Sequence, residues 1–160
     1  MTADLGGEAP CLLGVVDDHR DLPTTVGARP DLSTAAAIHD LVTRFYREIV
    51  FDDLLAPVFD EVAEVDWAIH IPNLIDYWSR ILLGIPGSAL RVTEVHRHLH
   101  GQQPLTIEHC DRWFELGTAT LDARWSGPIV ERARNHAASI MAGMARHIFD
   151  VQWAPPEVAA

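Results

Sequence analysis

Apolar residues recur at intervals of three and four along most of this chain, and they do not alternate for any distance. Ile38, Leu41, Val42, Phe45 and Ile49 set the pattern. That spacing puts them on one stripe of an α-helix, because a turn takes about 3.6 residues. Neither sustained period-two patterning nor a two-residue hairpin turn is present. The chain is therefore expected to be all-α, with each helix burying its stripe against another.

Ser33 or Thr34 is placed to cap the first helix, and Asp52-Asp53 closes it. Tyr46 falls on the edge of the apolar face. Leu54 to Asp60, interrupted by Pro57, predicts a tight turn or one helical turn with Phe59 inward. Asp66 is the next cap, before Trp67, His70, Ile71, Leu74, Tyr77, Trp78, Ile81 and Leu82 at helical spacing. Pro72 sits early in this second helix and removes one backbone hydrogen bond, which predicts a late start or a bend. Gly84 to Gly87 form a break. A short helix from about Ala89 to His98 follows, then a loop of Gly101, Gln102, Gln103 and Pro104. Residues 105 to 121 predict a fourth helix, with Ile107, Cys110, Trp113, Phe114, Leu116 and Leu121 as its apolar set. Ser126-Gly127-Pro128 turns the chain into a last helix to about 149, striped by Val130, Ala133, Ala137, Ile140, Met141, Met144 and Ile148. The expectation is about five main helices in one bundle-like domain.

Residues 1–31 lack either periodicity and are expected to be a poorly ordered extension. The helical domain is placed at 32–150 and a C-terminal tail at 151–160. A chain of 160 residues is one domain, large enough to bury a core around a small cofactor. The net charge of −11 speaks against a nucleic-acid partner, which needs clustered Lys and Arg. No apolar run approaches the roughly 20 residues of a membrane span, and the N-terminus does not read as a secretory signal. Two cysteines are too few for a disulfide framework, so a reduced, cytoplasmic protein is expected. Cys11 reads as a tail residue and Cys110 as a buried apolar filler.

His96, His98 and His100 alternate. On a helix, His96 and His100 share a face and His98 points away. On a strand all three would share a face and could bind zinc or copper, although no nearby carboxylate completes such a site. His19, His39, His109, His136 and His147 read as surface residues.

Five motifs stand in order: Arg44-Phe-Tyr-Arg-Glu-Ile, Leu54-Leu-Ala-Pro-Val-Phe, Trp67-Ala-Ile-His, Tyr77-Trp-Ser-Arg-Ile-Leu-Leu-Gly84 and His109-Cys-Asp-Arg-Trp-Phe-Glu-Leu. Together they resemble a truncated haemoglobin, most closely group III, over about residues 33 to 149. Each motif is weak alone; their order carries the resemblance. It implies a two-over-two helical sandwich around haem b, with iron held by one proximal histidine. By the resemblance His96 is that ligand when counted forward from Gly84, while counting back from Trp113 falls nearer His98 or His100. Tyr46, His70 and Trp113 correspond to the distal polar set, with one O–H and two N–H donors available to a bound ligand. Phe59, Leu74, Trp78 and Ile81 correspond to residues packed against the haem, with His100 near its edge.

Three features depart from the family pattern: Pro72 in the distal helix, Cys110 where relatives often carry an aromatic, and the N-terminal extension. Tyr46 alone would more often be an ordinary helix-edge residue, His70 a surface or capping residue, and Trp113 part of a core. The implied function is binding of dioxygen, nitric oxide or carbon monoxide. The alternative is an enzyme, a nitric oxide dioxygenase or peroxidase served by a separate reductase, because the chain has no flavin or nicotinamide motif. A weaker alternative is a non-haem metal site at the histidine run.

Overall fold

The computed structural model describes residues 28–87 and 92–156. They form α1 (Ala35–Ile49), α2 (Trp67–Leu83), α3 (Val92–Gln102), α4 (Ile107–Arg124) and α5 (Pro128–Met144), with π-helical turns at Val58–Val62 and Ala145–Phe149. No strand occurs among the described residues, as the apolar periodicity leads one to expect. The extension over 1–27 and the end of the tail, 157–160, lie outside them.

Local chemistry sets the helix boundaries. Thr34 Oγ1 accepts from Ala37 N and Asp66 Oδ1 from Ala68 N, so both expected caps are made. α2 begins directly after Asp66 and runs through Pro72, so the late start anticipated from the proline does not occur. Pro72 lies little more than one turn in, where it forfeits a single hydrogen bond that the rest of the helix outweighs. Gly84 ends α2 at φ +68°, a left-handed cap that favours glycine. α3 continues to Gln102, so Gly101 and Gln102 are helical rather than loop. Gln103 N donates to Leu99 O, and the proline at 104, not the glycine at 101, stops the helix. Ala89 lies outside the described residues. α4 begins later than expected, after a Thr106–His109 capping box, and Ile107 is 44% exposed rather than buried.

Four helices pack in a cycle: α1 on α2, α2 on α5, α5 on α4 and α4 on α1. α3 stands outside it and packs on the turn Ala145–Phe149. Two apolar clusters result. The first joins Ile38, Val42, Phe45, Tyr46 and Ile49 of α1 to Leu82, Leu121, Trp125 and Val130. The second joins Val58, Leu99, Leu105 and Cys110 to Met141, Met144 and Phe149. Phe59 and Trp113 pack against both.

The segment just before α1 is tied to the domain. Asp31 accepts from its neighbour Leu32 N and from Ile129 N and Val130 N, capping α5 from across the chain. Burial alone would raise the Asp31 carboxyl, but these N–H donors hold it below the ordinary range. Gly127 makes this possible: its φ is +135°, and a Cβ there would meet the Asp31 carboxyl carbon at 2.7 Å. Leu32 is fully buried. No described helix is long and apolar enough to cross a membrane.

Candidate functional site

Between the two clusters lies a cavity of about 290 Å³, open at its mouth. That is at the lower end of the roughly 300–1,000 Å³ usual for small-ligand pockets. Its walls are mostly apolar, and a few polar groups converge on it.

The upper wall is aromatic. Tyr46 comes from α1, His70, Leu74 and Trp78 from α2, Trp113 from α4, and Phe59 from the first π turn; all line the cavity. Tyr46 is buried rather than at a helix edge. Its ring meets His70 edge-on at 5.4 Å and Phe59 at 5.9 Å, and Phe59 stacks on Trp67 at 5.8 Å. Such edge-to-face contacts stabilise fixed ring orientations. Burial pushes the Tyr46 phenol well above its ordinary pKa, against the opposing effect of a Trp113 side-chain hydrogen bond, so the phenol keeps its proton. His70 Nε2 is buried without a partner, a costly state unless something else occupies the cavity. Burial holds the His70 imidazole below its ordinary pKa, and the facing His96 lowers it further.

The lower wall is aliphatic and sulfur-bearing, and the His96 imidazole is presented to the space. His96 lies on α3 and lines the cavity. Its Nδ1 is 2.7 Å from Val92 O and can only donate to that carbonyl. The proton is therefore on Nδ1, and Nε2 carries a free lone pair. Burial keeps the ring below its ordinary pKa, opposed by the Val92 bond, so neutral imidazole is the resting form. A histidine fixed through one nitrogen by a backbone carbonyl is the usual arrangement of a metal ligand. Leu99, Leu105, Met141, Met144, Phe149 and Cys110 complete this wall. Burial, then Asp111, pushes the Cys110 thiol up to about 11, so it is an uncharged apolar filler.

The remaining sequence candidates fall elsewhere. His98 is exposed. His100 does not line the cavity: its Nδ1 accepts from Leu105 N at 2.9 Å and its ring lies 5.3 Å from Phe149, so it closes the end of α3. Ile81 packs into the first cluster and is not among the residues lining the cavity. Among the described residues no three His, Cys, Asp or Glu side chains could hold a metal together, so the histidine run assembles no non-haem site there. His109 and His136 are half-buried rather than surface residues, whereas His39 and His147 are exposed. His109 caps α4 through Nδ1, accepting from Thr106 N, and lines the cavity too. The Thr-x-x-His spacing could have revealed this cap; the lower-wall residues Leu105 and Phe149 had no comparable signal. Asp52, read as a helix terminator, is a buried anchor: it accepts from Leu54 N, Leu55 N and Arg112 Nε.

These residues suit a planar, largely apolar group with a central cation. One neutral imidazole offers a lone pair from below, donors gather above, and the space between is apolar. No protein-family model matches the chain, and no curated protein does. A solved structure does: that of a group III truncated hemoglobin from Campylobacter jejuni. The two are 19% identical, with a TM-score of 0.63, over 72% of this chain and 91% of that one. The chain thus has a truncated-globin-like fold, with helix the sole regular secondary structure among the described residues.

Proposed function

We propose that the cavity holds haem b and that the protein binds dioxygen or another diatomic ligand, such as nitric oxide or carbon monoxide, at its iron. The observation that carries this reading is the His96 tautomer: Nδ1–H is committed to Val92 O and Nε2 is left free, on a ring that lines the same cavity as the unpartnered His70. Bound there, haem would supply an iron centre with one coordination position for a small ligand.

The chain's own groups divide the work. His96 would hold iron through Nε2, with the Val92 carbonyl fixing the ring's orientation. On the other side Tyr46, Trp113 and His70 present donors to a polar diatomic ligand. Each well-aligned bond in a dry pocket would contribute about 1–1.5 kcal/mol, or roughly tenfold in ligand release. Leu74, Phe59 and Trp78 exclude water from the same space. Turnover as a dioxygenase or peroxidase would draw electrons from a separate reductant. We place the protein in the cytoplasm, reduced and soluble.

The test is resonance Raman spectroscopy of the ferrous, hemin-reconstituted protein. An iron–imidazole stretching band should be present in wild type and in His100→Ala, and absent in His96→Ala. A band unchanged in His96→Ala would overturn the assignment.

A further inference from the structure

Tyr77 and His136 form a contact that ligand binding at the cavity does not use. The Tyr77 hydroxyl oxygen lies 2.7 Å from His136 Nε2, joining α2 to α5. With the proton on His136 Nδ1, the phenol donates and the imidazole accepts. Both residues are half-buried. Tyr77 also lines the cavity, as does Trp78, whose ring stands edge-on to Tyr77 at 5.7 Å and to His136 at 5.5 Å.

We propose that Tyr77 and His136 are a redox-active pair, at which a small organic one-electron reductant is oxidised while the electron passes to the cavity cofactor; this rests on the haem reading above. Removing an electron from a phenol makes its proton strongly acidic. In a half-buried place that proton needs a base already in position, or electron loss leaves an unsolvated positive charge. His136 Nε2 is that base. Burial keeps its imidazole below the ordinary pKa, and the Arg80 charge lowers it further, so it is free to accept. Burial raises the Tyr77 phenol, against the Arg80 charge, so the proton stays on oxygen until an electron leaves.

The step balances. Converting a hydroperoxide to alcohol and water consumes two electrons and two protons, so the site falls two electrons short and the water is completed only as they are returned. Tyr77 returns one electron inward, its own proton goes to His136 Nε2, and a neutral phenoxyl faces an imidazolium. A reductant of the enediol or phenol class then gives one electron to the phenoxyl and releases one proton through solvent toward the water being formed, while the imidazolium gives back its proton and restores the phenol. A second passage supplies the other electron and the other proton. Tyr46, the only other tyrosine in the chain, is unsuited: it is buried, and the indole beside it is a donor that cannot take a proton.

A plain interhelical tie would use the same hydrogen bond, so the experiment must read the radical. The full-length protein is oxidised in two ways and freeze-quenched for electron paramagnetic resonance. One arm uses flash-photolysed tris(bipyridine)ruthenium without added hemin; the other uses hydrogen peroxide after hemin loading. A tyrosyl signal is expected in both arms. It should vanish in Tyr77→Phe and persist in Tyr46→Phe, so either variant assigns it should the other fail to fold. In His136→Phe it should form at least about tenfold more slowly. A signal that survives Tyr77→Phe, disappears in Tyr46→Phe, or forms at an unchanged rate in His136→Phe overturns the proposal. The ruthenium arm reads the pair even if no hemin binds, which keeps its failure distinct from that of the haem reading.

Discussion

The upper and lower walls of the cavity are built by different means. The upper wall is a set of rings held edge to face, from helices whose apolar stripes are long and regular, and it carries three donor side chains at the cavity. The lower wall is aliphatic and sulfur-bearing, drawn from α3, the loop after it, the start of α4, the end of α5 and a π turn, and its one imidazole with a free lone pair belongs to His96. Rings fix directions and donors; the soft wall fills space around one anchor. On the proposed reading, the lower wall holds the cofactor and the upper wall tunes what binds to it.

The largest test of that division is His96→Ala. Transfer of hemin to a scavenger protein should accelerate more than about a hundredfold, since even second-sphere losses at metal sites cost 10–100-fold. Tyr46→Phe should leave the transfer rate nearly unchanged. Equal acceleration by both would erase the distinction between the walls.

Next in size is Arg112→Ala. Asp52 is buried, and Arg112 reaches it from α4 at 2.6 Å, joining the turn before Phe59 to the helix of Trp113. Leaving that carboxylate without its charged partner should cost about 1–3 kcal/mol in urea unfolding. The pH dependence has a definite sign. Burial would raise the Asp52 carboxyl, but Arg112 and the Leu54 and Leu55 N–H groups hold it below the ordinary value of 3.8. Its folded pKa is thus the lower one, and the unfolded chain takes up the proton first. The stabilisation is complete above the ordinary value and disappears as pH falls through the lowered one. Wild type should lose this contribution in that acid window, and Arg112→Ala should lose less of it.

Smaller still is Tyr46→Phe, read by ligand kinetics. Dioxygen should leave the ferrous protein about tenfold faster by stopped flow, the worth of one hydrogen bond. Trp113→Phe should show a similar effect, and the double variant less than the product of the two, because both side chains line the same cavity and act on the same ligand. Full additivity would mean that they act on the ligand independently.

The upper wall was legible in the sequence because helical periodicity is a local property. Tyr46, His70, Leu74 and Trp78 sit at positions a helical wheel can place, and Thr34 and Asp66 announce where each helix begins. The lower wall depends on approach in space. Leu105 and Phe149 meet only because the loop after α3 folds under the end of α5, which no local pattern encodes. His96 was favoured by spacing from Gly84, while His100 shared its helical face. What separates them is the partner each nitrogen finds: Val92 O for one ring, Leu105 N for the other. Ile81 shows the converse: periodicity gives it a buried face, and the structure puts that face in the first cluster rather than at the cavity.

His100→Ala is the smallest of these effects and sharpens that point. Losing its acceptor for Leu105 N should cost about 0.5–1.5 kcal/mol in thermal or urea unfolding, with hemin stoichiometry unchanged. Loss of hemin from this variant would move the anchor from His96 to its neighbour.

The most direct measurement is titration of the purified wild-type protein with hemin, followed in the Soret region. The account expects a sharp band that saturates at one equivalent per chain. A preparation that gives only the broad absorbance of free hemin at every ratio would contradict it.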